Sequence, residues 1–186
     1  PGVRAHMQGP SGVPLTSQEY EALLEIFIEQ GFDISMLPKL QKIDFLPDEQ
    51  SKDEKDVDEK LIEPFLRRLG YEVTDWERQW TIRMGRGERN YPDYIIGAKK
   101  SKSEQSAKLV VEAKYRISNR KQLSEAFFQA SSYAHRLQAK LAAVASFEGF
   151  WLSELNNGSF DIDKAIKKDW DELENPDHFH EIKLLI

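Results

Sequence analysis

Residues 92–114 read PDYIIGAKKSKSEQSAKLVVEAK, and two short apolar runs inside that stretch decide the fold class. Tyr94-Ile95-Ile96 ends at Gly97, and Leu109-Val110-Val111 ends at Glu112-Ala113-Lys114. Short, β-branched runs with polar borders predict strands buried on both faces. The polar residues 99–105 between them predict a loop.

Working outward, residues 71–83 (YEVTDWERQWTIR) are rich in aromatic and β-branched types and predict an irregular strand ahead of the Gly85/Gly87 turn. Upstream, Val57, Leu61, Ile62, Phe65, Leu66 and Leu69 make one helical stripe that Gly70 ends. Pro64 inside that stripe predicts a kink or two abutting helices. Downstream, Leu123, Phe127, Ala130, Tyr133, Ala134 and Leu137 share one face of a helix over 119–138. Strands are expected at 141–147 and 149–155, a hairpin turn at Asn156-Asn157-Gly158, and an amphipathic helix over 163–173. A helix near 16–30 carries Leu23, Leu24, Phe27 and Ile28 and stops at Gly31. This order predicts an α/β (α+β) fold, a central mixed sheet flanked by helices. Four segments are expected: 1–15, disordered or an appended scar; 16–50, a helical extension; 51–155, the core; and 156–186, a helical segment packed on it.

Composition narrows the function. The 186 residues include no cysteine, which excludes disulfides, thiolate metal sites and cysteine nucleophiles and fits a cytoplasmic setting. No apolar run is long enough for a membrane span. The formal charge of -6 taken whole argues against a nucleic-acid partner. Its distribution argues the other way: residues 1–60 carry -7, residues 61–140 carry +7 and residues 141–186 carry -6. A basic middle suits phosphate.

That middle holds the chemistry. Asp93 opens one predicted strand, and Glu112 and Lys114 stand at i and i+2 on the next, so their side chains leave one face. If the two strands are neighbours, Asp93 and Glu112 converge. Two carboxylates at core borders form a hard oxygen site suited to Mg²⁺ or Mn²⁺ rather than zinc. Lys114 beside them offsets the charge and can hold a metal-bound water. These are the parts of a phosphodiester hydrolase. The plainer alternative is a surface Asp and a Glu-Lys pair on a solvated strand.

Pro92-Asp93 followed by Glu112-x-Lys114 resembles the PD-(D/E)XK nuclease superfamily. More narrowly, it is similar to the N-terminal nuclease domain of type I restriction enzyme R subunits. Leu61-Ile62-Glu63-Pro64-Phe65-Leu66 with Leu69-Gly70-Tyr71, the segment Arg89 to Tyr94, and Gln129-x-x-x-Tyr133 resemble that family's first helix, aspartate strand and QxxxY element. Trp151-Leu152 resembles its closing hairpin, from which Ser146, Phe147 and Glu148 depart. The resemblance spans about residues 50–155. It implies a mixed sheet split at a metal site and a metal-dependent DNA endonuclease related to restriction-modification. It further implies that Asp93 and Glu112 ligate Mg²⁺ (or Mn²⁺), that Lys114 positions the water, and that Gln129 and Tyr133 serve the site. Tyr133 also suits the core. A helix carboxylate is expected from Glu54 or Glu59, with Glu54 preferred because it shares the apolar stripe's face. Arg83, Arg86, Arg89, Arg116, Arg120 and Lys121 are expected to contact DNA. Arg67 and Arg68 are expected on the outer helix face, and Trp76 and Trp80 in the core. Partners implied are DNA and other restriction-modification or helicase subunits. No phosphate-loop motif of a helicase motor is present, so the chain reads as a fragment or a stand-alone nuclease. The alternative is a non-cleaving DNA-binding module on the same fold.

Overall fold

A computed structural model describes residues 17–33, 53–83, 89–100 and 105–186. The segment expected to be disordered, 1–15, lies outside the described residues. Helix α1 (Ser17–Glu29) forms where the spacing places it, and Gly31 follows it with φ +75°. Its apolar side chains Ile26 and Ile28 are about half exposed.

The striped helix is three pieces: α2 (Glu54–Val57), a π-helical turn (Asp58–Ile62) and α3 (Glu63–Leu69). Pro64 explains the middle piece. It has no N–H for the carbonyl of Lys60, and its ring crowds that carbonyl. The wider turn, in which Glu63 N–H donates to Asp58 C=O, relieves the crowding. Asp53 caps the start by accepting from Asp56 N–H at 3.1 Å. Gly70 closes the end at φ +99°.

The strands are β1 (Trp76–Arg78), β2 (Ile82–Arg83), β3 (Arg89–Asn90), β4 (Tyr94–Ile96), β5 (Lys99–Lys100), β6 (Gln105–Ser106) and β7 (Leu109–Ala113). Helix α4 (Arg120–Arg136) leads to β8 (Leu141–Ser146), β9 (Gly149–Asn156) and β10 (Ser159–Phe160). After a short 3₁₀ turn come β11 (Ile166–Lys168), α5 (Trp170–Glu174) and α6 (Pro176–Leu185). Seven strands form one mixed sheet in the order β1-β4-β7-β8-β9-β10, with β11 also on β9. Among the described strands of this sheet only β7 and β8 run parallel, joined through α4, and the other pairs are antiparallel. The chain is therefore an α/β protein with a mixed sheet between helical layers, as its strand and helix order predicts.

Alternation along the strands fills two cores. Ile95, Val110, Ala142 and Val144 pack under Leu123, Phe127, Ala130 and Tyr133 of α4. Tyr94, Ile96, Leu109 and Val111 face the other way, onto Leu61, Phe65, Trp170 and Phe179. Phe65 is the centre of that second core, with ring centroids 4.9 Å from Phe150, 6.0 Å from Trp170 and 5.9 Å from Phe179.

Three expectations change. The stretch expected as a loop over 99–105 carries β5 and β6 at its ends, paired antiparallel, Lys99 with Ser106 and Lys100 with Gln105. The irregular strand at 71–83 is two strands in different sheets, broken where Gln79 takes φ +51°. The helix expected over 163–173 is instead a 3₁₀ turn, strand β11 and the start of α5. Residues 166–168 pair with Leu152, Trp151 and Phe150, covering an edge of β9 that a helix would leave unpaired. Helix α5 starts only at Trp170, where Glu172 Oε2 accepts from Asp169 N–H at 2.8 Å.

Candidate active site

The register of β4 on β7 pairs Tyr94 with Val111, so the next step outward sets Asp93 opposite Glu112. Asp93 Oδ2 accepts from the backbone N–H of Ala113 at 2.8 Å, which ties the aspartate to the neighbouring strand. The rigid approach comes from Pro92, whose carbonyl accepts from Gln79 N–H at 3.1 Å. Glu112 follows Val110 in the alternation and so leaves the sheet on the α4 side, as does Lys114.

Glu112 is only 2 % exposed. Its Oε1 accepts from Lys114 Nζ at 2.7 Å, while its buried Oε2 has no hydrogen-bond partner. Burial, then the charge of Asp93, pushes the Glu112 carboxyl up to about 7 against the pull of Lys114. Burial alone would weaken the Lys114 ammonium, but the bond and charge of Glu112, with Asp93 and Glu54, outweigh it and raise its pKa.

Glu54 belongs to this group. Burial raises its carboxyl, Lys114 lowers it and Asp93 raises it again. Glu59 does not: it lies half exposed, 3.5 Å from Lys55 Nζ along the helix surface. One turn after Glu54, Asp58 is 5 % exposed and ion-paired with Arg78. Burial lifts Asp58 to about 6, with Arg78 opposing and Asp93 and Glu54 assisting. Arg78 also reaches Glu63 at 3.6 Å and lies over the Tyr94 ring at 4.9 Å. Asp58 and Arg78 are residues that sequence reasoning missed. The available signal was the i, i+4 spacing from Glu54, next to buried Val57.

Glu148 is a second miss. Its Oε2 accepts from Ile117 N–H at 2.7 Å and from Ser146 Oγ at 2.8 Å, and its Oε1 lies 3.5 Å from Arg116. It pins the segment after Lys114 to the β8–β9 turn. No spacing in the sequence announces this, because Ile117 and Arg116 lie about thirty residues from Glu148.

Gln129 Nε2 donates to Tyr133 Oη at 3.1 Å. Neither side chain bonds Asp93, Glu112 or Lys114 among the described interactions, and Tyr133 is 6 % exposed within the α4 core. Asn90, Gln129 and Tyr133 instead line an open groove on the same side of the sheet.

The basic residues divide. Arg83 and Arg89 pair through their backbones in the β2–β3 ribbon, and Arg86 lies outside the described residues. Arg116, Arg120 and Lys121 each face an acid: Glu148, Asp163 and Glu125. Arg67 pairs with Glu63 along the helix at 3.6 Å. Arg68, expected on the outer face, turns inward, donating to Leu173 C=O at 2.7 Å with its guanidinium 4.2 Å from the Phe179 ring centre. Trp76 and Trp80 are both buried.

Among the described residues no three Asp, Glu, His or Cys side chains converge as a ready-made metal cage. Mg²⁺ does not require one, since it keeps several waters and takes one or two carboxylates. The orphaned buried Oε2 of Glu112, facing Asp93's charge, fits such an ion: a cation there would compensate both. No family model, curated protein or solved structure matches this chain.

Proposed function

We propose that the chain is a metal-dependent DNA endonuclease of the PD-(D/E)XK kind, similar to the nuclease domain of type I restriction R subunits. The observation that carries this reading is the juxtaposition of Asp93, Glu112 and Lys114 across β4 and β7, with one oxygen of Glu112 buried and unpartnered. Asp93 and Glu112 would hold Mg²⁺ or Mn²⁺, with Glu54 adding negative charge nearby. When bound, the ion supplies Lewis-acid polarisation of a phosphoryl oxygen and lowers the pKa of its water. Lys114 stays charged, offsets the growing charge on the phosphoryl oxygens, and orients the attacking water. That water's oxygen bonds to phosphorus as one ester P–O bond breaks, the water giving up a proton to solvent and the leaving oxygen taking one up.

Plasmid nicking in Mg²⁺ or Mn²⁺ tests this, with Glu112→Gln as the paired control. Wild type is expected to nick and the variant to lose at least a hundredfold in rate. Identical behaviour of the two at every metal concentration would end the catalytic claim. A second reading is a DNA-binding module on the same fold that does not cleave. Calorimetry separates them: the module binds DNA without Glu112-dependent metal uptake.

A further inference from the structure

Helix α4 carries the most exposed large apolar side chain among the described residues, Phe128, at 75 %. Its neighbours Phe127 and Ala126 are buried, so Phe128 is not a frayed part of the core. It forms a wall of an open groove of about 410 Å³, lined also by Asn90, Glu125, Gln129, Ser132 and Tyr133. Exposure of one aromatic is not unusual. The groove as a whole combines two rings, two primary amides, hydroxyls and a carboxylate.

We propose that this groove seats a nucleobase of the DNA strand, stacked on Phe128, next to the candidate cleavage site. The proposal rests on the DNA reading above and names which part of the nucleic acid the groove takes.

Three observations favour a base over a phosphate. Among the described residues the lining holds no Lys or Arg, and it includes Glu125, so a phosphate is disfavoured. The polar groups are those that match base edges: amides from Asn90 and Gln129, which donate and accept in one plane, and a carboxylate that accepts from an exocyclic amine. The Gln129 amide is already oriented by its bond to Tyr133 Oη, which leaves its carbonyl oxygen for a ligand. Position agrees as well. Asn90 is three residues from Asp93, so their Cα atoms are at most about 11 Å apart, roughly three steps of 3.4 Å along a strand. The groove and Glu112 also lie on the same side of the sheet, the side that α4 covers. A base that is unstacked from its neighbours can enter; a base inside an intact duplex cannot reach the ring.

The test compares a single-stranded 12-mer with the same backbone bearing abasic positions, by fluorescence anisotropy in EDTA. Wild type is expected to prefer the base-bearing strand by about tenfold. Phe128→Ala should abolish that preference while leaving abasic affinity unchanged, and Phe128→Tyr, which keeps a ring, should restore it. A 2-aminopurine base in the strand should change its fluorescence on binding wild type and not on binding Phe128→Ala. Equal affinity for both strands in wild type, or a preference that survives Phe128→Ala, overturns the proposal. So does a change of oligomeric state in Phe128→Ala by sedimentation, which would make Phe128 a contact between copies of the chain. None of these readouts needs cleavage. A wild type that shows the base preference but never nicks plasmid would support the groove and remove only the nuclease reading.

Discussion

Glu112 concentrates the physical tension of the molecule. A carboxylate that is 2 % exposed, with one oxygen unpartnered, is costly when charged. Its folded-state pKa of about 7 lies above the unfolded value of 4.5, so between those values the folded state binds more protons than the unfolded one. Metal-free stability should therefore fall as pH rises from about 4.5 to 7 and level off above that. Asp58, raised to about 6, adds to the same slope. Urea unfolding in EDTA across pH 5–8 measures it, and Glu112→Gln should flatten it and stabilise the protein at pH 8 by on the order of 2 kcal/mol. Saturating Mn²⁺ should reverse the slope for wild type only, because the cation replaces the proton. Lys114→Ala is expected to cost about a hundredfold or more in nicking. It should also raise the Glu112 carboxyl further, visible as a shift of the stability profile to higher pH.

Among the elements, the turn between β8 and β9 decides whether that site is held. Gly149 sits at φ +135°, and a Cβ there would lie 2.5 Å from the carbonyl oxygen of Lys168. Gly149→Ala should destabilise the fold by about 3 kcal/mol, read as a lower urea midpoint, since both the backbone and the β11 contact must give. The same turn holds Ser146, whose carbonyl accepts from Trp170 Nε1 at 2.7 Å, and Glu148, which clamps the chain just past Lys114. A loosened turn should thus lower nicking more than the lost stability accounts for. The π turn plays the matching part on the other side of the site. Its cause, Pro64, is plain in the sequence. That it accompanies a buried Asp58 is not, because helical angle alone assumes one regular helix.

At the scale of the whole molecule, the +7 middle segment is less available than its count suggests. Arg116, Arg120 and Lys121 each spend part of their charge on an acid that is four or more residues away. DNA affinity should therefore show a shallow salt dependence. Asp163→Asn, which frees Arg120, is expected to tighten DNA binding at low salt and steepen the log-log salt slope by about 0.9. Anisotropy titrations between 50 and 200 mM salt, as rough bounds, suffice to see it.

The short apolar runs at 94–96 and 109–111, and the stripe from Val57 to Leu69, determine the elements by themselves, because burial pattern is local and periodic. The carboxylates at their borders were legible for the same reason: charge at the end of a buried run needs a partner. Only the tertiary structure decides which strand ends meet. Antiparallel pairing of β4 with β7 puts Asp93 against Glu112, and the choice of Glu54 over Glu59 depends on where the helix lies against the sheet. The strand at 166–168 likewise depends on an open edge of β9, and the clamp by Glu148 on a contact thirty-one residues back in the chain. Local sequence sets which backbone shapes are favoured; hydrogen-bond pairing and burial between distant segments select among them.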